Sequence, residues 1–182
     1  IPLIVFPYLI RVLGGDTYGL VIYAQAVLGY FVVLINFGFN ITATKEISIH
    51  KNNKKKVNKI LSSIFIIKGF LFFSSVVILS LLIFFIPDLQ EHKLLFYLTL
   101  WMCFYEFIFP VYYFQGIEEM KYITIITLVS RLVFSIFVFI LITSPDDYLL
   151  VPIINGTGAL IAGVISQIIV LKKGVRYSWQ KL

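Results

Sequence analysis

Three ionisable side chains, Lys68, Glu106 and Arg131, interrupt long apolar stretches of this 182-residue chain. Their distances from the nearest polar segment almost match. Lys68 is nine residues past Lys59, Glu106 is nine before Gln115, and Arg131 is ten past Lys121. At 1.5 Å of helix per residue, all three lie about 13–15 Å from one edge, a single layer near the middle of a bilayer. A charge at that depth is costly, so it faces a protein interior or a water-filled cavity. Two chemistries fit. In one, Glu106 pairs with Arg131 on a neighbouring helix while Lys68 snorkels toward the nearer surface. In the other, the three line a hydrophilic cavity for an anionic substrate, with Arg131 and Lys68 contacting its charge and Glu106 balancing or gating it. The layer is net positive when all three are ionised.

The elements that hold these residues are membrane helices. Of the residues, 60% are hydrophobic and 13% charged, against about half and a quarter in soluble domains. One core of this size cannot hide so many apolar side chains, and lipid must solvate the rest. The expected fold is all-α, a polytopic transmembrane helix bundle of about five full spans plus the end of a first. It is read as a single transmembrane domain over residues 1–182, with spans near 1–10 (partial), 20–44, 60–86, 94–114, 122–143 and 148–171. A Gly-rich turn over Arg11–Gly19 separates the first two. The chain reads as starting partway through a helix, a fragment of something longer, with no cleavable signal peptide visible.

Orientation follows from Lys45–Lys59, which carries six lysines against one acid. Short basic loops stay on the cytoplasmic side. Gly116–Lys121 and the tail from Lys172, with Lys173, Arg176 and Lys181, then also lie inside. The outer loops hold Asp16, Asp88, Glu91, Asp146 and Asp147 against Arg11 and Lys93. Glu118 and Glu119 break the alternation, but acids weigh little in this rule. Aromatic residues near the expected ends, among them Tyr97, Trp101, Tyr122, Tyr148 and Trp179, suit a membrane interface. The net charge of +6 is therefore loop lysine that sets orientation, and no nucleic-acid groove is implied.

Other polar and small residues read as packing devices. Pro110 should kink the fourth span by removing a helix hydrogen bond. Asn36, Gly38 and Asn40 should loosen the inner end of the second, where Gln25 lies nearer the outside. Gly158 with Ala162, and Ala159 with Gly163, permit close helix contact in the sixth. His50 and His92 lie in opposite loops, so no metal site is indicated. No phosphate-binding glycine loop is present. No nucleophile–base set can be assembled on one side of the membrane, the loops leave no room for a catalytic domain, and neither enzyme chemistry nor a cofactor is expected.

PYLIRVLGGDTYG (Pro7–Gly19), YFVVLINFGFNITATKEIS (Tyr30–Ser48) and FQGIEEMKY (Phe114–Tyr122) resemble the polysaccharide transporters that include bacterial O-antigen and capsule repeat-unit flippases. Their order and spacing fit the amino-terminal half of that family, within the multidrug/oligosaccharidyl-lipid/polysaccharide exporter superfamily. The resemblance implies one lobe of a two-lobe transporter in the bacterial inner membrane. Its substrate would be an undecaprenyl-pyrophosphate-linked oligosaccharide, moved between leaflets through a cationic cavity that opens alternately to either side. A polysaccharide polymerase and a chain-length regulator are the implied partners, besides membrane lipid. Arg11 matches the arginine of the family's first quoted stretch, and Arg131 its fifth-helix position, which implies contact with substrate charge for both. Read from its own position, Arg11 is an interfacial anchor at the outer headgroups. Proton or sodium coupling would fall to Glu106. Two rivals stand beside this reading. A cation or drug antiporter of the same superfamily needs acidic cavity residues, against the net positive layer. A membrane-embedded glycan polymerase needs a large outer loop, against the short ones here.

Overall fold

With no water in hydrocarbon to satisfy backbone N–H and C=O groups, a lipid-soluble chain must bond them within each segment. The computed structural model, which describes residues 2–177, is accordingly helical. The expectations placed on Trp179 and Lys181 lie outside the described residues. In chain order the helices are α1 (Pro2–Leu13), α2 (Gly15–Asn36), α3 (Phe39–Ile49), α4 (Lys54–Phe85), α5 (Pro87–Glu91), α6 (Lys93–Ile108), α7 (Val111–Gly116), α8 (Met120–Leu141) and α9 (Leu150–Lys172), with a 3-10 turn at Pro145–Leu149 before α9. Among the described residues, five helical stretches are long and apolar enough to cross a membrane, α2 with α3 and α6 with α7 each counting as one. Large side chains such as Phe70, Phe73, Phe84, Phe85 and Ile140 are exposed. In a polytopic membrane protein these meet acyl chains.

The bends fall at interpretable residues. Phe37 (φ 33°) and Gly38 (φ 76°) are both left-handed and split the second span into α2 and α3. Phe109 turns extended before Pro110, ending α6, as the residue before a proline is pushed to do. The turn after α1 is shorter than the sequence implies. Arg11 lies within α1, and Gly14 (φ 82°) alone redirects the chain. Likewise the lysine segment is largely helical, with Lys45 on α3 and Lys54–Lys59 opening α4.

Packing assigns the loops to two ends. At one, Lys51 pairs with Glu118 at 3.0 Å and Lys173 with Glu119 at 2.6 Å. These pairs tie together the three segments expected to share a side. They also employ the two acids that interrupt the charge alternation. At the other end, the Tyr8 hydroxyl donates to the Ile142 carbonyl at 2.8 Å. Each end has its own apolar core. Leu9, Leu13, Val21, Leu79, Leu95 and Ile142 belong to one, and Ile47, Leu61, Tyr112, Phe114 and Val170 to the other.

The helices form an arc. α2 packs on α6, α6 on α9 and α9 on α8, while α4 backs α2 and α6 from behind. Beyond the two bends, α3 and α7 pack on each other. Gly116 makes that approach possible, because a Cβ there would sit 2.6 Å from Ile47 Cγ2 and 3.1 Å from the Thr44 carbonyl. Gly116→Ala is therefore expected to part α3 from α7 at a cost of about 1–3 kcal/mol, as overpacking does. A lowered melting temperature of the purified full-length protein would register it, and an unchanged one would refute the close approach.

Candidate functional site

Pro110 carries no N–H, so the carbonyl four residues earlier, that of Glu106, loses its helical partner. A buried carbonyl must find another donor. The Lys68 Nζ supplies it from α4 at 3.0 Å. The same ammonium donates to Asn36 Oδ1 at 2.8 Å and sits 5.4 Å from the centre of the Tyr112 ring. Asn36 in turn donates through Nδ2 to Glu106 Oε2 at 3.0 Å. One amide thus joins cation to carboxylate, and its two opposite contacts define its orientation. A second carbonyl at the break, that of Ile108, accepts from Gln167 Nε2. Tyr177 donates to Gln167 Oε1 at 2.7 Å; burial pushes that phenol up to about 12, so it remains a donor. Polar side chains from α4 and α9 therefore hold the Pro110 break from two sides.

Lys68 is 1% exposed. It does not snorkel to the surface, because donors are needed where α2 and α6 both end. Glu106 and Arg131 form no ion pair among the described residues, where only the two loop pairs are found.

Glu106 and Arg131 instead line one cleft inside the arc. It has two chambers, of about 300 and 430 Å³. The first is bounded by Leu28 and Val32 of α2, Met102, Tyr105 and Glu106 of α6, and Thr127 of α8. The second runs past Val5, Phe6 and Leu9 of α1 to Tyr18, Phe134 and Val151. Gln25, Ser130, Arg131 and Asn155 line both. Among the described residues the Arg131 guanidinium makes no hydrogen bond or ion pair, while its carbonyl accepts from the Ser135 hydroxyl. A guanidinium with five unused donors in a cleft of mixed polarity is equipped to hold an anion in two-point geometry.

Of the four residues expected to meet substrate, the structure brings Arg131 and Glu106 to the cleft. Lys68 lies behind the wall, bonded to Asn36 and to the Glu106 backbone. Arg11 is exposed and absent from the lining. The cleft face of α1 is that of Leu9, and two residues further on lies about 200° around the helix. Gln25, a packing residue by sequence, instead lines the cleft, and Asn36, another, joins Lys68 to Glu106. Asn155, which no spacing or motif singles out, lies with Gln25 on the cleft wall. Their common signal was an amide in an apolar span, which costs free energy wherever it finds no partner.

The family model described as polysaccharide biosynthesis protein matches residues 1–181. A curated protein named "Putative O-antigen transporter" from Escherichia coli (strain K12) is 30% identical over 174 residues, which is 96% of this chain and 42% of that protein. Another of the same name, from Shigella dysenteriae, is 30% identical over 173 residues, 94% of this chain and 43% of its own length. The chain thus spans less than half the length of these relatives. No solved structure matches it. A helical multi-pass architecture, matching segments along nearly the whole sequence and relatives named as transporters agree: this chain belongs to the polysaccharide biosynthesis protein family.

Proposed function

We propose that the chain is one lobe of a flippase in the bacterial inner membrane. The full-length protein would carry an undecaprenyl-pyrophosphate-linked oligosaccharide from the inner to the outer leaflet for O-antigen, capsule or exopolysaccharide synthesis. The observation that carries this reading is Arg131, a cation without an ionic partner on the wall of a cleft between membrane helices. A lipid-linked sugar has a tail that can stay in hydrocarbon and a charged, hydroxylated head that cannot. A guanidinium in a polar cleft lowers the crossing cost of that head. α1 reaches from α2 to α8 at one end, and a second lobe in the full-length protein would complete the cavity. Alternating access then needs the two open states to bind the head with different affinity.

One observation favours a second reading, a cation antiporter. With Lys68 turned away, the acidic and basic residues lining the cleft among the described residues are Glu106 and Arg131. They are one of each sign, so the charge argument against cations weakens. The names of the relatives weigh toward the oligosaccharide.

The test uses the complete gene. In a deletion strain, lipid-linked repeat units are located with a glycosidase that cannot cross the inner membrane. Units trapped on the cytoplasmic leaflet, with surface polysaccharide lost, are expected. Units that reach the outer leaflet unpolymerised would reject the flippase and favour a polymerase. Normal polysaccharide with altered drug resistance would favour the antiporter.

A further inference from the structure

Four residues, Gln25, Ser130, Arg131 and Asn155, line both chambers of the cleft and so form a polar collar where they meet. Gln25 comes from α2 and Asn155 from α9, with α6 between those helices. Among the described residues, neither amide makes a hydrogen bond. Asn36, another amide in an apolar span, is held from both sides. Each free amide offers two N–H donors and a carbonyl with two lone pairs. Both side chains are partly exposed to the cleft, so these groups are accessible to a ligand there.

The type of free group selects the ligand. A phosphate or carboxylate would use only the donors of an amide, and a cation only its carbonyl. A hydroxyl gives and accepts together, and so matches both halves. We infer that Gln25 and Asn155 form a hydroxyl-recognition subsite that reads the sugar nearest the charged group held at Arg131. This inference rests on the oligosaccharide reading above, and it names the residues that set specificity for sugar within it. The collar divides the labour: Arg131 takes the anion, which every substrate of this kind shares, and the amides take the hydroxyl pattern, which differs between sugars. A site built to hydrogen-bond a hydroxyl discriminates strongly against a ligand that lacks it, because its own polar groups are then left unpaired.

The experiment uses the full-length protein in lipid nanodiscs, with binding read by native mass spectrometry. Two probes are compared, bare undecaprenyl pyrophosphate and the oligosaccharide-bearing form extracted from cells lacking the gene. The wild type is expected to prefer the sugar-bearing lipid. Gln25→Leu and Asn155→Leu should each cut that preference about tenfold while leaving affinity for the bare lipid unchanged, which also reports that the variant is folded. Arg131→Ala should weaken both lipids alike. A variant that loses the bare lipid is replaced by the alanine substitution at the same position, read in the same way. Preference retained in both variants would overturn the subsite, as would a wild type that binds the two probes equally. A wild type that binds neither lipid would remove the oligosaccharide reading itself, and the inference with it.

Discussion

Arg131→Ala in the full-length protein is expected to reduce surface polysaccharide at least tenfold while leaving the protein inserted and folded. The two halves of that expectation have separate causes. Among the described residues the Arg131 side chain has no hydrogen bond or ion pair to lose, so truncation leaves no buried group stranded. A hydrogen bond to a charged group contributes about 1.5–3 kcal/mol, and 1.4 kcal/mol is a factor of ten in affinity. Arg131→Lys should fall between, because an ammonium keeps the charge but loses the planar two-point geometry. Arg131→Glu should abolish export, since it places a second acid on the wall beside Glu106. Export is read from surface polysaccharide in a deletion strain carrying each variant, with membrane abundance measured in parallel. Normal export by well-expressed Arg131→Ala would sink the anion-binding role.

Glu106→Leu should have the opposite signature, a loss of stability ahead of any effect on transport. It removes the carboxylate that Asn36 links to Lys68, and leaves an ammonium that is 1% exposed without counter-charge. Breaking a buried pair from one side costs about 3–5 kcal/mol. Glu106 is half-buried, and its carboxylate reaches Lys68 only through Asn36, with no direct pair. The lower end of that range, about 3 kcal/mol, is therefore the upper limit. Lys68→Met should cost less, about 1–3 kcal/mol, because it strands only the Glu106 carbonyl and Asn36 Oδ1. The double variant should be more stable than Glu106→Leu alone, since no unpaired charge remains; that sign of coupling identifies the network. Melting of the purified proteins in detergent decides it. A Glu106→Leu protein that melts with the wild type would mean that Asn36 does not link the two charges.

Much of the architecture could be read from composition and loop charge, since length and apolarity decide whether a segment crosses a membrane. The exceptions had a tertiary cause. Glu118 and Glu119 are acids on a basic side because Lys51 and Lys173 take them as partners. The bend at Pro110 was legible, for a missing N–H is a property of one residue. Its consequence was not. Which donor reaches the Glu106 carbonyl depends on where α4 lies, and no sequence spacing encodes that.

The sequence by itself determined that this chain is a bundle of membrane helices, which loops share an end, and that Lys68, Glu106 and Arg131 lie at mid-depth, because depth along a helix is fixed by counting residues from a charged loop. Only the tertiary structure decided where each charge points. Direction around a helix and the choice of neighbour are set by packing, and in spans apolar on every face no periodicity reveals them. That packing turned Lys68 into the staple of two helix breaks, kept Arg11 off the cleft, and left Arg131 facing it beside two free amides.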